Sequence, residues 1–207
     1  MGFYERHLLP RIINLACGME AIDRQRAKLV PRAEGVVLEV GMGPGHNLRH
    51  YDPARLTRLI GLDPSASSMA MAARRATELG LAVEFLCLDG ESIPLAESSV
   101  DTVVLTYTLC TIPDPAAALA RMREVLKPGG RLLFAEHGRA PDAPVARLQD
   151  RLGPLWQRLF GGCHLNREIP GLLRAAGFRL DALDAAYLRR APKFAGYNYL
   201  GTAVADG

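Results

Sequence analysis

The run Glu39-Val-Gly41-Met-Gly43-Pro-Gly45 directly follows the apolar stretch Val36-Val37-Leu38, and the next apolar stretch, Leu59 to Leu62, ends in Asp63. A strand that feeds a glycine turn and then a helix brings backbone N–H groups close to a nucleotide-like ligand. An acid at the end of the following strand can accept from ribose hydroxyls. The glycine spacing narrows the ligand. A dinucleotide fingerprint needs its third glycine at position 46, where the pyrophosphate approaches the helix start, and that position is His46. The chain reads G-x-G-x-G instead, which suits a ligand with no pyrophosphate to cradle.

Downstream, strand-like apolar runs alternate with helical patterns, the signature of a parallel sheet covered by helices on both faces. Strands are expected at Val36–Val40, Leu59–Asp63, Val83–Leu88, Thr102–Tyr107 and Arg131–His137. Ser65, Ser67 or Ser68 can cap a helix that runs to Leu79 and ends at Gly80. Asp114-Pro115 is a cap followed by proline at the first helical position, and Lys127-Pro-Gly-Gly130 stops that helix. Phe178–Tyr187 and Phe194–Val204 are rich in strand formers, and their short connection favours an antiparallel hairpin at the sheet edge. The expected fold class is therefore α/β: a Rossmann-like, seven-stranded, mostly parallel sheet with helices on both faces and an antiparallel C-terminal hairpin. One domain covers 1–207, with an N-terminal helical segment or lid at 1–34, a cofactor core at 35–137 and acceptor-side helices and hairpin at 138–207.

The 207 residues, 49% hydrophobic and 23% charged, exclude disordered and fibrous classes. A net charge of +3 does not imply nucleic acid. Between Arg147 and Lys193, nine Lys/Arg stand against four acids, an excess read first as a solvated face and second as a contact for an anionic substrate or lipid headgroup. The four cysteines fall at long spacings with no C-x-x-C pair, so neither a disulfide framework nor a zinc site follows, and Cys87 and Cys110 read as small core hydrophobes. The start lacks a signal-peptide pattern and no run of 18 apolar residues occurs, so a cytoplasmic protein with no integral membrane segment is expected, peripheral contact remaining open.

On its motif residues the chain resembles the class I S-adenosylmethionine (SAM) methyltransferases, whose first motif has the form E/D-x-G-x-G-x-G. The resemblance implies a cofactor site made by Glu39, Gly41, Gly43, Gly45, Asp63, Pro64, Asp89, Gly90, Glu91 and Thr106. In it Asp63 takes the ribose and the Asp89–Glu91 stretch lies beside the adenine amino group; S-adenosylhomocysteine is the product and no metal is implied. Tyr107-Thr-Leu-Cys-Thr-Ile-Pro-Asp114, Glu136-His-Gly138 and Gly161-Gly-Cys-His-Leu-Asn-Arg-Glu168 look more narrowly like the methyltransferase-like 7 type, the alkyl thiol methyltransferases. Quinone C-methyltransferases and phospholipid N-methyltransferases are similar at greater distance. Membrane residence is not carried over, because the chain begins where the membrane-associated members' apolar anchor would end.

The resemblance implies methyl transfer to a small, apolar acceptor by a monomer or homodimer. A thiol is favoured, and a phospholipid or amine nitrogen or a quinone carbon is the alternative. A non-catalytic SAM-binding protein is a separate possibility. An RNA methyltransferase is disfavoured, because Thr106-Tyr-Thr-Leu109 lacks the element that stacks on a flipped base. His137, ending the fifth strand, is the candidate general base; a histidine bonded to a neighbouring carboxylate or carbonyl is the competing reading. Tyr4, His7, Trp156 and His164 are candidates to line the acceptor pocket. Val145, Leu148, Leu152, Leu155, Trp156 and Leu159 form an apolar stripe, broken or kinked at Gly153-Pro154, that either packs on the core or floors that pocket. Asn166 could cap the last helix. The Cys163-His164 pair is discounted as a nucleophile site, since adjacent loop residues rarely pair productively.

Overall fold

The computed structural model describes residues 17–205, so Tyr4, His7 and positions 1–16 of the expected N-terminal segment lie outside the described residues. One seven-stranded sheet runs in the order β3-β2-β1-β4-β5-β7-β6. Its parallel part is β1 (Gly35–Val40), β2 (Leu56–Leu62), β3 (Glu84–Leu86), β4 (Val100–Thr106) and β5 (Leu126–His137); β6 (Phe178–Tyr187) and β7 (Tyr197–Ala205) are antiparallel additions. Chain direction reverses its progress across the sheet between β1 and β4, and the crevice at their C-terminal ends is where ligands bind in open α/β sheets.

The α-helices lying wholly within the described residues are α1 (Glu20–Leu29), α2 (Ala66–Leu79), α3 (Pro115–Val125), α4 (Ala143–Leu159), α5 (Ile169–Ala175) and the single turn α6 (Lys193–Gly196). Ser65 Oγ caps α2 by accepting the Ser68 N–H, and the helix stops at left-handed Gly80. Asp114 accepts the Ala116 and Ala117 N–H groups at the start of α3, a cap worth about 1 kcal/mol. Two apolar layers cover the sheet. Leu38, Leu105, Leu119, Met122 and Phe134 belong to one, and Leu29, Val37, Leu48, Leu59 and Val104 to the other. Alternation along the strands sends neighbours such as Val37 and Leu38 to opposite layers.

Several expectations require correction. Cys87 is exposed, because β3 is an edge strand of three residues that ends before it; Cys110 is buried as expected. Helix α4 is not broken at Gly153-Pro154: proline forfeits one main-chain bond, and the buried face of Ala146, Gln149 and Gly153 continues through it. That buried face is not the expected stripe, since Leu148, Leu155 and Leu159 are 42%, 58% and 43% exposed. The Lys127-Pro-Gly-Gly130 turn is a bulge within β5 rather than a separate stop. The cap of α5 is Glu168, with Pro170 in the first turn, while Asn166 donates to Asp150 instead. Phe194 sits in α6, and β7 begins only at Tyr197.

Candidate active site

The glycine turn leaves β1 with Gly41, Gly43 and Gly45 all at positive φ (73°, 56° and 79°), conformations that side chains with a Cβ rarely adopt. A Cβ on Gly41 would collide with the Thr108 side chain, and one on Gly45 with Leu48 and Ala72, so these glycines let the turn pack downward. Gly43 differs. A Cβ there would meet only the Gly41 carbonyl, at 4.0 Å, so this residue presents its backbone to open space. Asp63, at the end of β2, accepts the Gly43 N–H at 2.9 Å and the Ser65 N–H at 2.8 Å. Burial raises its pKa, and those two bonds act the other way. Each carboxylate oxygen keeps a further lone pair, which is what recognition of a ribose diol requires. The cradle open at Gly43 beside a half-buried acid fits an adenosine-type cofactor.

Beneath this turn lies a buried polar network that the sequence reading did not find. Glu39, 1% exposed, accepts from Asn47 Nδ2 (2.9 Å) and from the Tyr51 hydroxyl (2.7 Å). Arg26 reaches from α1 to donate to Asn47 Oδ1 (2.8 Å) and Thr106 Oγ1 (2.7 Å), and its guanidinium lies 5.3 Å from the Tyr107 ring centroid. Burial pushes the Glu39 carboxyl up to about 7, although Tyr51, Arg26 and Asn47 oppose it. Glu39 and Thr106 thus have their polar atoms engaged under the turn, where they fix its shape. The one signal available in sequence was Arg26 in an otherwise amphipathic segment, and nothing local announces that such an arginine is buried.

The remaining expected cofactor residues are spread around the crevice. Asp89 is exposed and Gly90 is buried, where a Cβ would press on Ile112 and Val40 at 3.2 Å. Glu91 accepts the Asp114 N–H at 2.9 Å and so braces the entry to α3. Pro64 is exposed, its carbonyl 3.7 Å from Cys87 Sγ.

On the neighbouring strands the chain builds a second cluster. Thr108, just past β4, has its hydroxyl oxygen 3.1 Å from the Thr106 carbonyl and 3.3 Å from the Gly41 carbonyl, and so touches the glycine turn. Two residues on, Cys110 is buried, and its sulfur lies with His137 Nε2 and Cys163 Sγ in a group whose three atoms are all within 4.8 Å of one another. His137 Nε2 is 3.1 Å from Cys163 Sγ, and Trp156 donates its indole N–H to that sulfur at 3.4 Å. The Cys163 thiol is pushed down to about 4, first by the hydrogen bond from Cys110 and, against burial, by His137 and Trp156. The Cys110 thiol moves up for the reciprocal reason. Burial lowers the His137 pKa, and the negative Cys163 more than reverses that.

Gln149 holds this corner together. Its Oε1 accepts the Ala140 N–H at 2.9 Å, and its Nε2 lies 3.0 Å from the carbonyls of Gly138, Leu165 and Phe194. The His164 N–H donates to the Cys110 carbonyl at 2.8 Å, while its ring is 3.1 Å from Gln157. Glu136 points away from His137, as strand alternation requires, and accepts the Thr108 and Leu109 N–H groups. Of the expected acceptor-side residues, His137 and Trp156 are therefore brought together at Cys163, while His164 turns its ring to Gln157. A groove of about 780 Å³ between α1 and the β6–β7 edge, lined in part by Arg24, Tyr187 and Asn198, does not include this cluster or the glycine turn.

Comparison with known proteins shows what the chain as a whole is similar to. Residues 38–134 match the family model described as a methyltransferase domain. The thiol S-methyltransferase TMT1B of Rattus norvegicus is 36% identical over 140 residues, covering 65% of this chain and 56% of that protein. The phosphatidylethanolamine N-methyltransferase of Cereibacter sphaeroides is 28% identical over 135 residues, covering 64% and 66% respectively. The chain thus spans about 55–62% of the length of the thiol S-methyltransferases it matches. Among solved structures, a SAM-dependent methyltransferase from Methanosarcina mazei superposes with a TM-score of 0.69 at 20% identity, covering 86% of this chain and 96% of the other.

Proposed function

We propose that this chain, which belongs to the SAM-dependent methyltransferases through the domain at residues 38–134, transfers a methyl group to a small, apolar thiol. The observation that carries the reading is the adjacency of the two clusters: Thr108 joins the glycine turn to the segment holding Cys110, and Cys110 lies against His137 and Cys163. Similarity to a thiol S-methyltransferase over 65% of the chain supports the choice of acceptor.

Gly43, in the turn that Gly41 and Gly45 shape, and Asp63 would hold the cofactor, with Asp89 available for the adenine amino group. When bound, SAM supplies an electrophilic methyl on a sulfonium sulfur. The protein's own tasks are to orient the acceptor and to keep water away. A thiol with a pKa near roughly 8.5 already ionises appreciably at neutral pH, so a polar neighbour such as His137, rather than a strong base, is enough. Trp156, stacked on Phe160 at 3.9 Å between ring centroids, supplies the apolar wall.

A phospholipid nitrogen is the second reading. The exposed Leu148, Leu155 and Leu159 share one face of α4 with Arg147, Arg151 and Arg158 alongside, an arrangement suited to a lipid surface. Incubation with methyl-labelled SAM and a panel of alkyl thiols, amines, quinols and phospholipid vesicles separates the two. Label in the thioether is the expected result; label in the phospholipid alone overturns the thiol reading, and no transfer to any acceptor counts against an enzyme.

A further inference from the structure

Cysteines 110 and 163 are far apart in sequence, on the loop after β4 and the loop after α4, and His137 ends β5 between them. The fold nevertheless converges their three soft or borderline donor atoms on one point, all within 4.8 Å of one another. We propose that Cys110, His137 and Cys163 bind a thiophilic divalent ion, zinc first, with a fourth position left for the acceptor's sulfur. The fourth-position part rests on the thiol reading above; the metal part does not.

Distances support the assignment. Tetrahedral zinc with bonds of about 2.3 Å to sulfur and 2.0–2.1 Å to nitrogen places its ligand atoms about 3.5–3.8 Å apart. His137 Nε2 and Cys163 Sγ at 3.1 Å, within a group no wider than 4.8 Å, need shifts of about an ångström or less to reach that spacing. Two sulfurs and an imidazole with no carboxylate select zinc-like ions over magnesium or calcium. A Cys2His set with three protein ligands is the catalytic rather than the closed structural pattern, since a closed site uses four.

The surroundings provide the outer support that metal ligands need. The Trp156 indole N–H is directed at Cys163 Sγ, Cys110 Sγ lies 3.7 Å from the Tyr107 carbonyl, and Gln149 with the His164–Cys110 backbone bond ties the three ligand-bearing segments to one another. The group also lies on the cofactor side of the molecule, because Thr108 joins its segment to Gly41. An acceptor thiol entering the fourth position binds as thiolate and releases its proton to solvent, which places an activated sulfur next to the donor crevice without a separate base.

Elemental analysis of the full chain, reconstituted with zinc and then desalted, tests the metal, and cobalt replacement tests the open position. The expected result is about one ion per chain, lost in Cys110→Ser, Cys163→Ser and His137→Ala but kept in Cys87→Ser. SAM affinity, read in parallel, shows that the variants are folded. Cobalt should give thiolate charge-transfer absorption whose bands shift when an alkyl thiol is added. If no ion is retained by the wild-type chain, or all three variants retain it, the site is overturned and the cluster is a hydrogen-bonded thiol–imidazole group. If cobalt binds but its spectrum ignores the thiol, the open position is overturned. Thiol methylation that persists undiminished in metal-free protein removes the ion's role while leaving the proposed function standing. Stoichiometric metal with no methylated thiol removes that function and leaves the site.

Discussion

The proposed donor crevice and the proposed acceptor corner are built from the same sheet but recorded differently in the chain. In the crevice, the glycine turn and Asp63 come from two consecutive βα units, so their spacing is written locally and is visible as a motif. In the corner, Cys110, His137 and Cys163 come from three separated segments, and only the neighbouring positions of β4 and β5, together with the α4 loop held by Gln149, bring them together. The proposed cofactor site is thus legible from a short window, whereas the proposed acceptor site is a property of the assembled fold.

Variants of the two regions should separate their functions. The largest effect is expected for Gly43→Val, which places a side chain in the open cradle at a φ of 56° while meeting no neighbour it must displace. SAM binding measured by calorimetry should fall by about 100-fold or more, while stability falls by the roughly 1–3 kcal/mol of backbone strain at that φ. Loss of fold together with binding would show that the turn is a packing element rather than a cradle.

Next is Glu39→Gln, which probes the network under the crevice. The Glu39 carboxyl titrates near 7 when folded against 4.5 unfolded, so its contribution to stability is fully present below about pH 4.5 and is lost as pH rises through about 7. The difference between wild type and variant in urea midpoint should therefore shift towards the variant across that window, by the equivalent of up to about 3 kcal/mol between pH 4.5 and pH 8. Parallel pH profiles would remove the buried-acid assignment.

The smallest effect on cofactor binding is expected for His137→Ala. SAM affinity should stay within about twofold, because its Nε2 is engaged by Cys163 rather than by the glycine turn, while turnover with a thiol drops by the 10²- to 10⁴-fold typical of a lost group at the reacting centre. A large loss of SAM affinity in this variant would merge the two regions into one site.

The fold itself was readable wherever a local rule decided it. Ser65 and Asp114 cap their helices, Gly80 terminates one, and the C-terminal pair is antiparallel, since each depends on a few adjacent residues. Local rules fail where tertiary context prevails. Cys87 looked like core but follows an edge strand, and the α4 leucines looked like a buried stripe, although Ala146, Gln149 and Gly153 face inward. The same holds for the site. Arg26, Asn47 and Gln149 are polar residues whose importance lies in partners far along the chain, and Cys163 was read with its neighbour His164 although its partners are His137 and Trp156.

The most direct test of the donor crevice is the affinity of Asp63→Ala for SAM. Asp63 holds the Gly43 N–H and carries the free lone pairs that a ribose needs. Losing one charge-assisted hydrogen bond costs about 1.5–3 kcal/mol, so binding measured by titration calorimetry should weaken by roughly 10- to 100-fold with the protein still folded. An affinity equal to that of the wild-type chain would contradict the assignment of the cofactor to this crevice.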